Sequence, residues 1–326
     1  MGKYGKNILT AVVCFLAVVV LNFFLPRLLP GDPIAYLTGF AEEDMTPAQY
    51  ESYRAALHLD ESTGMQFLFY LRSLLDGTLG YSFKKDAVVS SLIWERLGYT
   101  LQITLPAVAL STLAGLAWGL RCGYRSGGPV DTASTAALII LNAVPTFLIG
   151  LLLMIFFCFQ HRWFPYTGLS SPEATAGSTW LADRLHHLVL PVLTLTLASL
   201  PSRYLLMRNT AKKIAEEKYV LYARQRGLPD RTILFRCLLK NIAPQFVTMT
   251  GMSVGSCIGG SLVVENLFSI KGMGKLLTEA VNTLDYPLMQ GILFVTALIM
   301  ALSIVVTDVI CVLIDPKVRW GEHIEK

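Results

Sequence analysis

The sequence predicts an all-α membrane protein: six transmembrane helices, with a small helical cap between the first and second. Three observations carry that reading. The 326 residues are 53% hydrophobic and only 15% charged, with a mean hydropathy of +0.53, whereas soluble domains carry about 25% charged residues. The apolar residues gather into six runs, each near the ~20 residues a helix needs to cross a bilayer. Lysine and arginine are distributed unevenly between the connections.

The six runs are 8–29, 100–120, 132–158, 187–208, 245–267 and 288–313. Lys3 and Lys6 precede the first, as in a signal peptide. That run is long, no A-x-A site follows, and five more runs come after it, so it reads as a retained span. Pro106, Pro145 and Pro191 sit in spans two to four. Each removes a backbone donor and permits a kink.

The fifth run carries Gly251, Gly255 and Gly259, a stripe of small residues expected on one helix face. Such a stripe allows close helix contact. It could instead line a pathway, together with Met252, Ser253 and Ser256, though helix packing is the favoured reading. In the sixth run Asp308 is the one acid clearly inside a span rather than at its end. An intramembrane charge points to function by default, while its closeness to Asp315 also suits a hydrated structural acid.

Orientation follows from the basic residues. With the N-terminus in the cytoplasm, the inside segments are the N-terminus, 121–131, 203–244 and the C-terminal tail. They hold 2, 2, 10 and 3 Lys/Arg, which is 17 of the 27. Both termini are therefore expected in the cytoplasm.

The outside segment 30–98 is too long for a bare connection. Thr46-Pro47-Ala48-Gln49 reads as a capping box with proline at the first helical position. Tyr50, Tyr53 and Leu57 follow at helical spacing. A second short helix is predicted over Met65–Leu75, stopped near Gly77. The division is then tail and first helix 1–29, outer cap 30–98, five-helix core 99–320 with a polar loop at 209–244, and tail 321–326.

That loop is the most informative stretch. A polar, basic helix is predicted from Asn209 through Tyr219, Tyr222 and Ala223 to Arg226. Gly227 stops it, and Pro229 prevents its resumption. Asp230 is a fitting N-cap for a second helix, Arg231–Asn241. The product is a hairpin with a Gly227-Leu228-Pro229-Asp230 elbow. A stiff knob of this kind can fit a groove on a partner and pass motion to the attached spans. A basic amphipathic helix held by anionic lipid is the other reading of the same pattern.

Catalytic and metal chemistry find little support. Cys14, Cys122, Cys158, Cys237, Cys257 and Cys311 are scattered without a C-x-x-C. His186 and His187 are neighbours, which do not share a helix face and poorly suit one metal ion. Gly274-Lys275 is followed by Leu276, and position 269 is Ser, so the phosphate-cradling G-x-x-x-x-G-K-[ST] pattern is not met.

Several stretches resemble the permease subunits of binding-protein-dependent ABC importers. Ala223-x-x-x-Gly227 within Tyr219–Gly227 is similar to their conserved coupling loop. Arg236-Cys237-Leu238-Leu239-Lys240-Asn241-Ile242-Ala243-Pro244 resembles its continuation in the peptide/nickel class. Leu29-Pro30-Gly31-Asp32-Pro33, Gly80-Tyr81-Ser82-Phe83, Glu95-Arg96-Leu97, Val263-Val264-Glu265-Asn266-Leu267-Phe268, Gly272-Met273-Gly274, Asp285-Tyr286-Pro287 and Asp315-Pro316-Lys317-Val318-Arg319 resemble the family in the same order. The family's glutamate and first alanine are replaced by Leu221 and Tyr222, which departs from the general importer pattern.

The resemblance implies the type I importer permease fold in a prokaryotic cytoplasmic membrane. It implies a second permease, two ABC ATPase subunits and an extracytoplasmic solute-binding protein as partners, and no nucleic acid. ATP and magnesium would sit on the ATPases, with no cofactor on this chain. Tyr219, Tyr222, Ala223, Arg226, Gly227, Leu228, Pro229, Asp230 and Arg231 would couple to the ATPase. Peptides are the expected cargo, with a nickel or other metal chelate as the alternative. An ion-coupled secondary transporter would need mid-span acids and an inverted repeat, and neither is found.

Overall fold

The computed structural model describes residues 3–28, 34, 38, 45–171 and 177–314. The sequence motifs Leu29–Pro33 and Asp315–Arg319 and the tail 321–326 lie outside them. Helix α1 is Lys3–Phe24, followed by a short 3-10 turn, Leu25–Leu28. The cap contributes α2, Pro47–Ala56, and α3, Thr63–Leu75. The capping box at Thr46 forms in full: the Gln49 amide donates to Thr46 Oγ1 at 3.3 Å, and the Thr46 amide donates to Gln49 Oε1 at 2.9 Å. A small ribbon was not foreseen. Strands β1, Tyr81–Ser82, and β2, Ala87–Val88, pair antiparallel around a turn at Asp86.

The long helices follow. They are α4, Val89–Tyr124; α5, Pro129–Asn142; α6, Thr146–Gln160, whose last six residues are a π-helix; and α7, Ser178–Ala215. Then come α8, Lys218–Gln225; α9, Asp230–Gly255; α10, Cys257–Leu267; α11, Met273–Asn282; and α12, Tyr286–Ile314. Helices α4, α7 and α12 are each long and apolar enough to cross a membrane unbroken. The pairs α5 with α6 and α9 with α10 reach that length only together, bent by 96° and 54°. The apolar part of α1, Leu9–Phe24, is shorter.

Two expected spans are thus broken, the first at Pro145, where a kink was permitted. Pro145 supplies no N–H and holds the preceding residue out of the helical region, so α5 ends before it and α6 starts after it. At Ser256 the backbone sits at φ −88, ψ 6, off the helical values, and its hydroxyl turns back to Ser253 O at 3.2 Å. Pro106, Pro191 and Pro201 stay inside continuous helices.

The chain divides into two compact units: 3–101 with 271–301, and 102–270 with 302 onward. In the first, two motifs far apart in sequence meet. Buried Ser82 of the ribbon donates to the Asp285 carboxylate, whose other oxygen accepts the Leu288 amide at 3.2 Å and so caps α12. The Met273 amide at the start of α11 donates to Thr100 Oγ1 at 2.8 Å. Lys85 and Glu279 pair at 2.7 Å.

In the second unit, α4 lies along α7 on glycine. An added Cβ at Gly115 would fall 2.8 Å from Arg203 Cβ, and one at Gly119 would fall 2.8 Å from the Tyr204 carbonyl oxygen. One at Gly123 would strike the Arg208 carbonyl. This is small-residue packing at a four-residue period, on a helix where the sequence reading had not placed it. At the same end, buried Asp131 accepts from Arg208 at 2.6 and 2.8 Å and from the Gly127 amide at 2.9 Å. Helix α5 is thereby clipped to α7.

Candidate functional site

The hairpin of the 209–244 segment is built on a buried apolar cluster. Val220 and Ala223 of α8 and Ile233, Leu238 and Ile242 of α9 pack with Leu120 and Tyr124 of α4 and Met207, Ala211 and Ala215 of α7. The expected single helix over 209–226 is two: α7 ends at Ala215 and α8 begins at Lys218. The second helix does not stop at Asn241. It runs on to Gly255, passing through a seven-residue π segment, Ile233–Leu239, and over Pro244.

The spacing Ala-x-x-x-Gly has a physical basis here. Gly227 has φ +73. Its amide donates to Arg224 O at 2.9 Å, and the Leu228 amide reaches back to Ala223 O at 3.2 Å. This is the two-bond Schellman closure, in which the residue after the cap takes the left-handed conformation. Ala223 supplies the carbonyl at one end and buries its methyl in the cluster, so both ends of the motif are fixed by one turn.

Asp230 is not the N-cap that its position suggested. Pro229 takes that place, and Pro229 O accepts from the Thr232 amide at 2.8 Å. The Asp230 carboxylate instead accepts from the Tyr124 hydroxyl and from Arg125 Nη2, each at 2.8 Å. This bond raises the Arg125 guanidinium above its ordinary pKa. Arg224 lies 4.4 Å over the Tyr124 ring and donates to the Tyr124 carbonyl at 3.3 Å. The end of α4 therefore pins both arms of the hairpin. Nothing in the sequence pattern singled out Tyr124 or Arg125; a Tyr-Arg pair ending a span beside a basic hairpin was the only signal.

The outer side of the knob is uncovered. Tyr222 is 63% exposed, and Tyr219, Leu221 and Leu228 are exposed with it. Arg226 and Arg231 also face solvent. The Tyr219 hydroxyl accepts from Asn241 Nδ2 at 2.9 Å, and partial burial pushes its phenol pKa up.

The glycine stripe of the fifth span does not form one face, because the helix bends at Ser256. Gly251 packs against Thr307 of α12, while nothing among the described residues lies within 4 Å of a Cβ at Gly259. Gly255 is buried and Met252 exposed. Ser253 and Ser256 do converge on something. They line a cavity of about 420 Å³ between α4, α7 and the α9–α10 bend, with Thr104, Ser202, Arg203 and Cys257. Arg203, counted with the polar loop in the sequence reading, is in fact 6% exposed within α7.

His186 and His187 turn apart. The first ring contacts Trp163 O at 2.7 Å and the second Asp183 O at 2.9 Å. Asp308 has one buried oxygen without a partner among the described residues.

Long apolar helices, two of them bent, carrying a rigid hairpin with an uncovered face, are the build of a membrane permease subunit. Residues 94–320 match the family model described as binding-protein-dependent transport system inner membrane component, and residues 5–104 match the N-terminal model of the same group. The chain belongs to this family, and it is a permease subunit of an ABC importer. It is 31% identical over 321 residues to a probable peptide ABC transporter permease protein, y4tP, of Sinorhizobium fredii, covering 98% of this chain and all of the relative. It is 27% identical over 316 residues to the oligopeptide transport system permease protein AppB of Bacillus subtilis, covering 97% and 98%.

Proposed function

We propose that this chain forms half of the translocation pathway of an importer for peptides, in the cytoplasmic membrane of a prokaryote. Its six apolar segments cross the membrane with both termini in the cytoplasm. A related second permease completes the pathway, and two ABC ATPases bind ATP and magnesium. A solute-binding protein delivers cargo at the cap.

The carrying observation is the hairpin: a knob locked by the Gly227 turn and the Tyr124–Asp230 contact, with Tyr219, Leu221, Tyr222 and Leu228 left uncovered. Exposed aromatic and aliphatic side chains on a stiff two-helix knob suit a groove on a soluble subunit. The eight basic residues of the 209–244 segment, beyond Arg203 and Arg208 within α7, support the cytoplasmic side. The names borne by the two relatives above support peptides as cargo.

The test is site-directed crosslinking in the assembled complex. Cysteine in place of Tyr222 should crosslink to an ATPase subunit, and cysteine in place of Gln49 in the cap should not. Crosslinking of the cap position to the ATPase, with none from position 222, would reverse the assignment of sides.

A further inference from the structure

An arginine inside a membrane bundle is costly unless it is paired or faces water. Arg208 meets that condition through Asp131. Arg203, five residues earlier on the same helix, has no acidic partner among the described residues. Its Nη1 donates to Ser111 Oγ, a neutral hydroxyl that itself donates to Ala107 O. Its Nε is buried with no partner among the described residues. The side chain lines the cavity described above, and no acidic residue lines it among the described residues.

The other walls are built to match. Thr104, Ser199, Ser202, Ser253 and Ser256 bring hydroxyls to the same space. Cys257 begins α10, so the N-terminal end of that helix also borders the cavity after the break at Ser256. A helix N-terminus at a break inside a membrane favours negative charge. A volume of about 420 Å³ lies in the range of small-ligand sites.

We propose that this cavity is a cargo subsite, in which Arg203 binds a carboxylate of the passing solute. This deepens the importer reading and rests on it. A guanidinium presents a planar fork that fits a carboxylate by two parallel bonds, and Arg203 has donors to spare. For a peptide the matching group is the free C-terminal carboxylate.

Cys257 gives a direct readout on the wall of the cavity. The whole complex in membranes is treated with iodoacetate or iodoacetamide, and alkylation is mapped by mass. Both reagents form a thioether and release iodide, but only one carries a carboxylate. The acetate-to-amide labelling ratio at Cys257, normalised to Cys237, should fall about tenfold in Arg203→Gln and be retained in Arg203→Lys. Ser256→Asp leaves Arg203 in place and supplies a fixed carboxylate, so it should abolish the same preference even if Arg203→Gln fails to assemble. An unchanged ratio in an assembled variant, or no labelling of Cys257 by either reagent, overturns the subsite.

Uptake of a peptide acid against its C-terminal amide separates the two layers. If the ratio responds but no peptide is moved, the anion site stands and the cargo reading fails. If peptide is moved with a flat ratio, the reverse holds.

Discussion

Two stretches of this chain carry glycine at every fourth residue, and they have different fates. Gly115, Gly119 and Gly123 lie on one unbroken helix, and the backbone of α7 fills the space each leaves open. Gly251, Gly255 and Gly259 have the same spacing, but the helix bends by 54° after Gly255. Gly251 then meets a neighbouring helix in the way a packing stripe requires, and Gly259 does not. A period of four says that close approach is permitted. Continuity of the helix decides whether there is a face to approach.

Substitutions can break or sharpen that contrast. The largest effect is expected from Gly119→Leu. Its added atoms meet the Tyr204 carbonyl oxygen at 2.8 Å and the Arg208 amide at 2.9 Å, backbone that cannot rotate aside. A loss of about 3 kcal/mol or more is expected from such overpacking, seen as failure of the detergent-solubilised complex to survive mild heating. Gly251→Leu meets the Thr307 hydroxyl, which can rotate, and the Thr307 Cβ at 2.9 Å, which moves only with its backbone, so about 2 kcal/mol is expected in the same assay. Equal losses from the two would erase the distinction between backbone and side-chain contact.

Gly227 tests a third use of glycine, conformational rather than steric, since nothing lies within 4 Å of its Cβ position. Gly227→Val should strain the left-handed turn by about 1–2 kcal/mol. The complex should still assemble, but ATP hydrolysis should lose its response to loaded binding protein. Intact stimulation would deny the knob its role. A weaker outcome is expected for Asp230→Asn. It loosens the solvent-exposed contact with Arg125 while leaving the turn, and exposed pairs contribute little. Stimulated hydrolysis should fall by less than about threefold. Smallest of all is Gly259→Ala, which enters open space and should change stability by no more than about 0.5 kcal/mol. A large loss there would mean that a partner subunit covers the position.

The same contrast shows how far the sequence could be read. Local signals held where one segment decides its own conformation. The Thr46 capping box, the stop at Gly227 and the helices of the cap follow from neighbours in the chain. The reading failed where a partner distant in sequence decides. Asp230 looked like an N-cap, but Tyr124 and Arg125 claim its carboxylate. The motifs at Ser82 and Asp285 gave no hint that one side chain caps the other's helix. Arg203 was counted among loop charges because charge and burial cannot both be read from composition. Its place on the cavity wall depends on where α7 and the α9–α10 bend fall in space. The bends themselves depend on single residues, Pro145 and Ser256, and prolines 106 and 191 show that the same residue type need not break a helix.

Helix α7 has 38 residues without a break, which is about 57 Å of rise. The oily layer of a bilayer is only about 30 Å deep. A rod that outlasts its solvent by this much carries its polar end, with Lys212 and Lys213, clear of the lipid. With no break between the span and Ala215, a tilt of the buried part reaches the hairpin as a change of angle.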